Sequence, residues 1–324
     1  MSDKLPRDVF IDYVYERAKN DKRIVFLNAD LGAIALDKFR EELPEQFIHT
    51  GISEQTMMNW GLGMAQTGNI VLTYAMDSFV MTRAMEQAKV AAVGFQSLNE
   101  KGIYPAMNII GIGCGFGYGE GGPTHYTTEM TGWARGIAGM EILSPSESKS
   151  AMEAARISCE VPGLRYIRLD RQFLPDIHGD NSFSEKGIAE IDSNGESVCI
   201  FSTGYTTHTA LEARKMLKES LKFPSEIGIA DIFRINPFNE EAFWEIVGKY
   251  PRIMTLEENF QAGGIGEMIA GKMSKSKKPL EIIAMPDKYY FENASNIKGG
   301  SRSYIHKQAG IDAESVAKKI LEFW

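Results

Sequence analysis

Two segments of the sequence carry side chains that could do chemistry. The segment Gly51–Gln55 places a carboxylate, Glu54, at the start of a predicted helix, and the segment Gly119–His125 places an imidazole in a glycine-rich loop about 70 residues further on. A buried carboxyl group at a helix start can share a proton with a ring nitrogen of a bound heterocycle. An imidazole in an open loop can orient the oxygens of a substrate. The sequence therefore predicts a proton-sharing acid and a separate hydrogen-bonding group.

Short apolar runs and helical patterns alternate through the first half of the chain. The predicted strands are residues 24–27, 70–74, 107–110 and 164–169. The predicted helices are residues 7–19, 54–65, 81–95 and 147–158, the last capped by Ser144 or Ser146. This alternation predicts a parallel sheet covered on both faces, with ligands beyond the carboxyl ends of its strands. Phe79 is expected at such a strand end, where its ring could stack on a flat ligand.

A change in composition separates the second half of the chain from the first. Residues 181–195 are rich in Gly, Asn, Asp and Ser, which predicts a linker. Alternation then resumes, with predicted strands 197–201, 226–230, 253–256 and 281–284 and predicted helices 206–221, 240–249, one ending at Met273, and 315–323. We therefore expect two doubly wound α/β domains, residues 1–180 and 196–324.

Composition and charge narrow the class of protein. The net charge of −8 and the pI of about 5.3 disfavour nucleic acid or an anionic membrane as the main partner. The three cysteines, Cys114, Cys159 and Cys199, form no CxxC pattern, so neither a zinc site nor a disulfide framework is expected. No apolar stretch approaches the roughly 18 residues of a membrane span, and no signal peptide is recognisable. We therefore expect a cytoplasmic protein.

Each candidate residue also has a simpler interpretation when it is taken alone. Glu54 could be a carboxylate that the helix dipole favours, Phe79 a core residue and His125 a structural hydrogen-bonding group. The glycines between 111 and 122 could form a tight loop, and they do not match a dinucleotide-binding fingerprint. The order and spacing of the motifs in one chain favour the functional interpretation.

That order resembles the C-terminal half of thiamine diphosphate-dependent transketolases, and more closely the separate C-terminal subunit of split transketolases. Residues 48–55 resemble the cofactor-activating segment of the family, residues 78–87 the segment with the stacking aromatic, and residues 119–125 its GEDGPTH motif. Residues 29–31, 257–258, 263–266 and 299–302 resemble further family motifs. The resemblance implies a pyrimidine-binding domain followed by a smaller transketolase C-terminal-like domain.

The resemblance also implies roles for individual residues. Glu54 would be the catalytic acid that contacts the cofactor pyrimidine, and His125 would be a second catalytic residue that faces the substrate. The cofactor would be bound by Glu54, Phe79, Ile52, Gln55 and Arg83. The substrate would be bound by Arg7, Asp30, His125 and Arg168. The implied activity is the transfer of a two-carbon ketol unit.

Three departures from the family pattern concern the substrate. Gly121 stands where the family has an aspartate, Gly113 where a phosphate-binding histidine is common, and Ile34 where a serine is common. Arg7 and Arg168, in contrast, match positions that carry an arginine for the substrate phosphate. We therefore expect a non-standard acceptor, such as a modified or activated sugar or another carbonyl compound.

The diphosphate half of the cofactor site has no counterpart in the sequence. No Gly-Asp-Gly occurs, and Gly179-Asp180-Asn181 lacks the helix and later asparagine of that motif. We expect a partner subunit to bind the diphosphate through Mg²⁺ or Ca²⁺, no metal ligand in this chain, and an α2β2 heterotetramer that is active only when assembled. Two alternatives stay open at this point: an E1 β subunit of a 2-oxo acid dehydrogenase, and a non-catalytic assembly subunit.

Overall fold

The computed structural model describes residues 4–179, 182–191, 197–220 and 227–324. The chain divides into two compact units. Unit 1 combines Met1–Cys114 with Trp133–Asp176, and unit 2 combines Gly115–Gly132 with Ile177–Trp324. The segment that carries His125 therefore groups with the C-terminal part of the chain. The domain bounds expected from the sequence stay a prediction.

The sheet of unit 1 is built from parallel strands. These are β1 (Ile24–Asn28), β2 (Phe47–His49), β3 (Ile70–Met76), β4 (Ala106–Ile112), β5 (Glu141–Leu143) and β6 (Gly163–Leu169). They lie in the order β5-β6-β4-β3-β1-β2, and each neighbouring pair is parallel. Strands β1 and β4 are buried along their whole length, as a sheet covered on both faces requires. The predicted sheet class is confirmed.

Helices follow these strands in the expected alternation. The helices up to residue 160 are α1 (Pro6–Ala18), α2 (Asp37–Glu42), α3 (Glu54–Gln66), α4 (Asp77–Arg83), α5 (Met85–Asn99), α6 (Met130–Arg135) and α7 (Ser148–Glu160). Helices α1 and α7 pack side by side. The apolar residues that predicted α1, including Phe10 and Val14, are fully buried.

Two local predictions for unit 1 are wrong. The helix expected over residues 81–95 is two helices, because Ala84 leaves helical geometry (φ −117°, ψ 24°) between α4 and α5. Phe79 therefore lies in the first turn of α4, just beyond β3. Helix α7 is capped by Glu147, not by a preceding serine: its side chain and that of Ser150 form a reciprocal capping box.

The sheet of unit 2 has five strands in the order β12-β11-β8-β9-β7. These strands are β7 (Ile188–Ile191), β8 (Val198–Ser202), β9 (Ile227–Ile232), β11 (Arg252–Phe260) and β12 (Leu280–Met285). The short strand β10 (Arg234–Asn236) is not one of the five. Only β7 runs antiparallel within this five-stranded sheet. Both sheets are thus dominated by parallel strands, which confirms the predicted fold class.

The helices of unit 2 complete its α/β layers. They are α8 (Ser182–Lys186), α9 (Tyr205–Ser220), α10 (Glu240–Lys249), α11 (Ile265–Met273), α12 (Arg302–Ala309) and α13 (Ala313–Phe323). Helix α8 and strand β7 lie within the range predicted as a linker, of which residues 181 and 192–195 are outside the described residues. The predicted end of the helix at 221 and the predicted start of the strand at 226 are also outside them. Across the described part of the chain, we find no helix with the length and apolar character needed to cross a membrane.

Candidate functional site

The turn that presents Glu54 is fixed by the carboxyl ends of β1 and β2. The N–H and Oγ1 of Thr50 both donate to the carbonyl of Asn28, at 2.9 and 3.2 Å, and Ser53 Oγ donates to the Thr50 carbonyl at 2.6 Å. Gly51 adopts a φ of +69°, which glycine accepts without steric cost. Its N–H donates to Nδ1 of His49 at 3.2 Å. The start of α3 is therefore held at the strand ends.

Glu54 is the first residue of α3 and is only 4% exposed. Both of its carboxylate oxygens accept hydrogen bonds from Nη1 of Arg83, at 3.0 and 3.1 Å. Arg83 is the last residue of α4, and its guanidinium carbon lies 4.3 Å from the centre of the Phe79 ring. The structure thus brings Glu54, Phe79 and Arg83 together, while Ile52 and Gln55 are exposed at the same turn.

Asp30 lies directly after β1 and pairs with a histidine to which the sequence motifs assign no role. Its Oδ1 is 3.1 Å from Nε2 of His49, at the end of β2. Because Nδ1 of His49 accepts from the Gly51 N–H, the ring proton is placed on Nε2, which donates to Asp30. Asp30 has a φ of +58°, which is uncommon for a residue other than glycine. The signal for His49 was its position within the Glu54 motif.

Arg7 and Arg168 occupy different environments. Arg7 lies in the first turn of α1, and its Nε donates to Asp8 Oδ1 at 2.8 Å. Arg168 lies in β6 and is 4% exposed. It is close to the hydroxyl of Tyr166, which donates to Asp77. Burial raises the pKa of Tyr166 well above its usual value, the Asp77 carboxylate raises it further, and the charge of Arg168 opposes both effects.

A second arginine lies near this strand end, and the sequence motifs assign it no role. Arg171 lies two residues beyond the end of β6 and is exposed, whereas the guanidinium of Arg168 is buried. An arginine just past the carboxyl end of a parallel strand is well placed to meet an anionic ligand. The signal in the sequence was the Arg-Gln pair directly after Asp170.

His125 lies in unit 2, in a single 3-10 turn formed by Pro123–His125. Its Nδ1 is 3.0 Å from Thr124 Oγ1. A second short 3-10 turn, Gly119–Gly121, precedes it. The glycine-rich segment is therefore irregular, as expected, and no long helix opens on it.

The glycines of this loop allow close backbone contacts with the segment that follows β12. A Cβ on Gly119 would lie 2.6 Å from the carbonyl oxygen of Gly300, and a Cβ on Gly122 would lie 2.8 Å from that of Ile297. Gly122 also has a φ of +87°, so a side chain there would be strained in addition. The same packing leaves no room for a side chain at Gly299, where a Cβ would lie 2.0 Å from the carbonyl oxygen of Gly119.

Gly121 has a direct relation to His125 that the sequence did not reveal. A Cβ on Gly121 would lie 2.8 Å from Cγ of the imidazole and 3.1 Å from its Cδ2 and Nδ1. The imidazole therefore packs against the bare backbone and fills the space that a side chain at residue 121 would need. The position of His125 depends on the absence of that side chain.

The acidic pair at the end of β11 is structural in unit 2. The carboxylate of Glu257 accepts from the N–H groups of Ile265 and Gly266, each at 2.8 Å, and so occupies the start of α11. Glu258 is within 2.6 Å of His306 Nε2 and 2.8 Å of Arg302 Nε, and all three side chains are buried. Among the residues with described coordinates, no group of three His, Cys, Asp or Glu side chains could hold a metal ion.

Comparisons with known proteins agree with this architecture. The family model for the transketolase pyrimidine-binding domain matches residues 6–176, which is more than half of the chain. The model for the transketolase C-terminal domain matches residues 187–316. The chain belongs to the transketolase family. Membership of that family implies dependence on thiamine diphosphate.

Several relatives of similar length are named as subunits of transketolases. The chain is similar to a subunit of the apulose-4-phosphate transketolase of Phocaeicola vulgatus, with 30% identity over 98% of this chain and 96% of the relative. It is also similar to the 6-deoxy-6-sulfo-D-fructose transketolase subunit SqwH of a Clostridium species, with 27% identity over 96% of this chain and 92% of that one. Human transketolase shares 25% identity over 92% of this chain, which covers 45% of the human protein.

Solved structures share the fold. A structure described as a split gene transketolase, inactive beta4 tetramer, has a TM-score of 0.80 at 21% identity and covers 98% of this chain and 97% of its own. Transketolase from Campylobacter jejuni has a TM-score of 0.77 at 17% identity, with 98% of this chain and 46% of its own covered. The family resemblance drawn from the sequence is confirmed.

The residues gathered around Glu54 fit a thiamine pyrimidine. An aminopyrimidine needs a hydrogen-bonding carboxyl group at one ring nitrogen and a flat apolar surface for its face. The transketolase chain has a buried carboxylate, Glu54, and an aromatic ring, Phe79, joined through the guanidinium of Arg83. The planar cation already placed between them shows that one flat hydrogen-bond donor can serve both groups.

Gly121→Ala tests the packing of His125. The added Cβ would lie under 3.0 Å from the imidazole, so the ring must move, and we expect the His125 side-chain signals to shift in a ¹H–¹³C NMR spectrum. Gly179→Ala is the matched control, because a Cβ there meets nothing within 4 Å. Unchanged His125 signals in Gly121→Ala would show that the ring does not lie against residue 121.

Proposed function

We propose that this chain is the pyrimidine-domain subunit of a two-polypeptide transketolase that transfers two-carbon ketol units. The observation that carries the proposal is the buried carboxylate of Glu54, which is linked to the Phe79 ring through Arg83, in a chain of which several relatives of similar length are named as transketolase subunits. When bound, thiamine diphosphate supplies the thiazolium carbon that accepts the two-carbon unit from a ketose and passes it to an acceptor carbonyl. The two alternative functions gain no support from the comparisons.

Glu54 and Phe79 have complementary tasks in this proposal. Glu54 holds a proton at a pyrimidine ring nitrogen, and its burial keeps water from competing for that hydrogen bond. Phe79 supports the face of the ring. The hydrogen bonds of Thr50 and Ser53 fix the start of α3, so the carboxylate is oriented before any ligand arrives.

A small set of polar side chains is proposed to bind the substrate. His125 orients the oxygens of donor and acceptor, and Asp30, oriented by His49, contacts a substrate hydroxyl. Arg7 and Arg171 bind an anionic group of the substrate. We place Arg168 in a supporting role, because its guanidinium is buried beside Tyr166 and Asp77.

A partner subunit completes the enzyme. The sequence has no Gly-Asp-Gly diphosphate motif, and the relative of Phocaeicola vulgatus is itself named as one subunit of its transketolase. We propose that the partner binds the diphosphate through Mg²⁺ or Ca²⁺, and that two copies of each chain form an α2β2 heterotetramer. Without the partner we expect an inactive self-associated form, like the split gene transketolase described as an inactive beta4 tetramer.

The acceptor is proposed to be an anionic, modified sugar. The two relatives described above are named for a sugar phosphate and for a sulfo sugar, and both substrates carry an anionic group. In this chain Gly121, Gly113 and Ile34 replace three polar contacts of the family, while the arginines remain. Because the arginines remain, we propose that they hold the anionic group of the substrate. The loss of the aspartate, which contacts a sugar hydroxyl in the family, favours a substrate with a different carbon skeleton.

Glu54→Gln tests the activating acid in the complex reconstituted from both subunits. The amide cannot share a proton as a carboxylate does, so we expect the turnover rate to fall by about 10²-fold or more. Glu86→Gln, an exposed first-turn residue of α5, is the control that should keep its activity. The isolated chain is measured alongside and should be inactive. Full activity of Glu54→Gln, or of the chain alone, would contradict the proposal.

A substrate panel tests the altered acceptor pocket. With xylulose 5-phosphate as donor, we expect kcat/KM for ribose 5-phosphate to be at least about tenfold below that of a branched or sulfonated acceptor, because each missing hydrogen bond costs about 1 kcal/mol. The measurement is a competition assay with both acceptors present. A preference for ribose 5-phosphate in this assay would contradict the proposed modified acceptor.

Paired arginine variants test which guanidinium meets the anion. We expect Arg171→Gln to raise KM for a phosphorylated acceptor by about tenfold, since a charged hydrogen bond contributes about 1.5–3 kcal/mol, with little change in kcat. Arg168→Lys should instead lower the unfolding midpoint, because its buried position near Tyr166 is disturbed. A KM effect confined to Arg168→Lys would reverse the assignment.

A further inference from the structure

The guanidinium of Arg83 makes both contacts that the pyrimidine is proposed to make. It donates through one nitrogen to the two oxygens of Glu54, and its carbon lies 4.3 Å from the centre of the Phe79 ring. Glu54 is 5% exposed in its side chain, so few approaches to its oxygens exist. Arg83 occupies one of them.

The two groups are chemically alike. A guanidinium is planar, stacks on aromatic faces and presents N–H donors in its own plane. An aminopyrimidine that carries the shared proton on the ring nitrogen facing the carboxylate, and that is supported by an aromatic ring, uses the same three properties. A ring stacked on the same face of Phe79 and hydrogen-bonded to Glu54 would overlap the position that the Arg83 guanidinium holds.

We infer that Arg83 is a placeholder for the pyrimidine ring: it holds Glu54 and Phe79 in the cofactor-free subunit and leaves when the pyrimidine binds. This inference rests on the proposed function and changes the role that the sequence suggested for Arg83, from a cofactor contact to a competitor of the cofactor. The exchange of the guanidinium for the pyrimidine would then regulate access to the site.

The exposure of the two side chains fits such an exchange. The Arg83 side chain is 47% exposed, so its guanidinium can move into water, whereas Glu54 has no such freedom. A buried carboxylate without a partner is strongly disfavoured. Arg83 supplies that partner until the ring arrives. The pyrimidine then binds only the fraction of molecules in which Arg83 has left, which raises the apparent Kd.

The test is a thiamine titration of the full-length chain, followed by ligand-observed NMR, for wild type, Arg83→Met and Arg83→Lys. Removal of the competing cation should tighten thiamine binding by about 3- to 10-fold in Arg83→Met. Arg83→Lys should give an intermediate affinity, because an ammonium pairs with Glu54 but does not stack as a planar group. Thermal unfolding of each variant confirms that it is folded.

Arg40→Met is the matched control. Arg40 also pairs with a carboxylate, Asp37 at 3.1 Å, and lies 5.6 Å from an aromatic ring, that of Phe47, but at another place in unit 1. It should bind thiamine as wild type does. Equal or weaker binding by Arg83→Met, or binding by none of the variants, would overturn the placeholder role. Thiamine diphosphate binding by the wild-type complex with its partner separates that outcome from failure of the proposed function, which would abolish binding there as well.

Discussion

A carboxylate that is almost fully buried requires a compensating group, and this requirement organises unit 1 around Glu54. The first helical position of α3 gives the carboxylate some support from the helix dipole, and Arg83 provides two hydrogen bonds. Arg83 can reach Glu54 because α4 ends at that residue, where Ala84 breaks the helix. The break between α4 and α5 thus positions the cation that binds Glu54, and the turn after β2 positions Glu54 itself.

Close packing without side chains organises the His125 segment in unit 2. The glycines at 119 and 122 let the loop meet the backbone near residues 297–300, and Gly121 gives the imidazole its place. The acidic residues of β11 also bind partners within this unit. Glu257 accepts hydrogen bonds at the start of α11, and Glu258 pairs with Arg302 and His306. These contacts indicate that the acidic residues and glycines of this unit maintain its fold, whereas we propose a substrate contact for His125.

The sequence predicted the elements that have long periodic patterns and missed those that depend on tertiary contacts. Helix α10 was predicted at both ends, and the parallel sheet followed from the apolar runs, because burial on both faces leaves a strong signal. The three-residue strands β2 and β5 and the break at Ala84 carry no periodic signal. The capping role of Glu147 was missed because serine is the commoner cap.

Candidate site residues were found from motif order, but their contacts were not. The motifs assign Glu54 and Phe79 to one site, and in the structure the guanidinium of Arg83 contacts both. The burial of Arg168 and the packing of His125 on Gly121 depend on side-chain positions that spacing in an irregular loop or a buried strand does not specify. His49 and Arg171 are neighbours of residues that the motifs assign to the site. Only the structure shows that His49 contacts Asp30 and that Arg171 is exposed.

We propose above all that Glu54 and Phe79 form the pyrimidine site of a transketolase subunit. The most direct test of this proposal is the structure of the chain in complex with its partner subunit and thiamine diphosphate. We expect a Glu54 oxygen within about 3 Å of a pyrimidine ring nitrogen, the ring stacked on Phe79, and the Arg83 guanidinium displaced from both. A complex in which Arg83 still holds Glu54 while the pyrimidine binds elsewhere would contradict it.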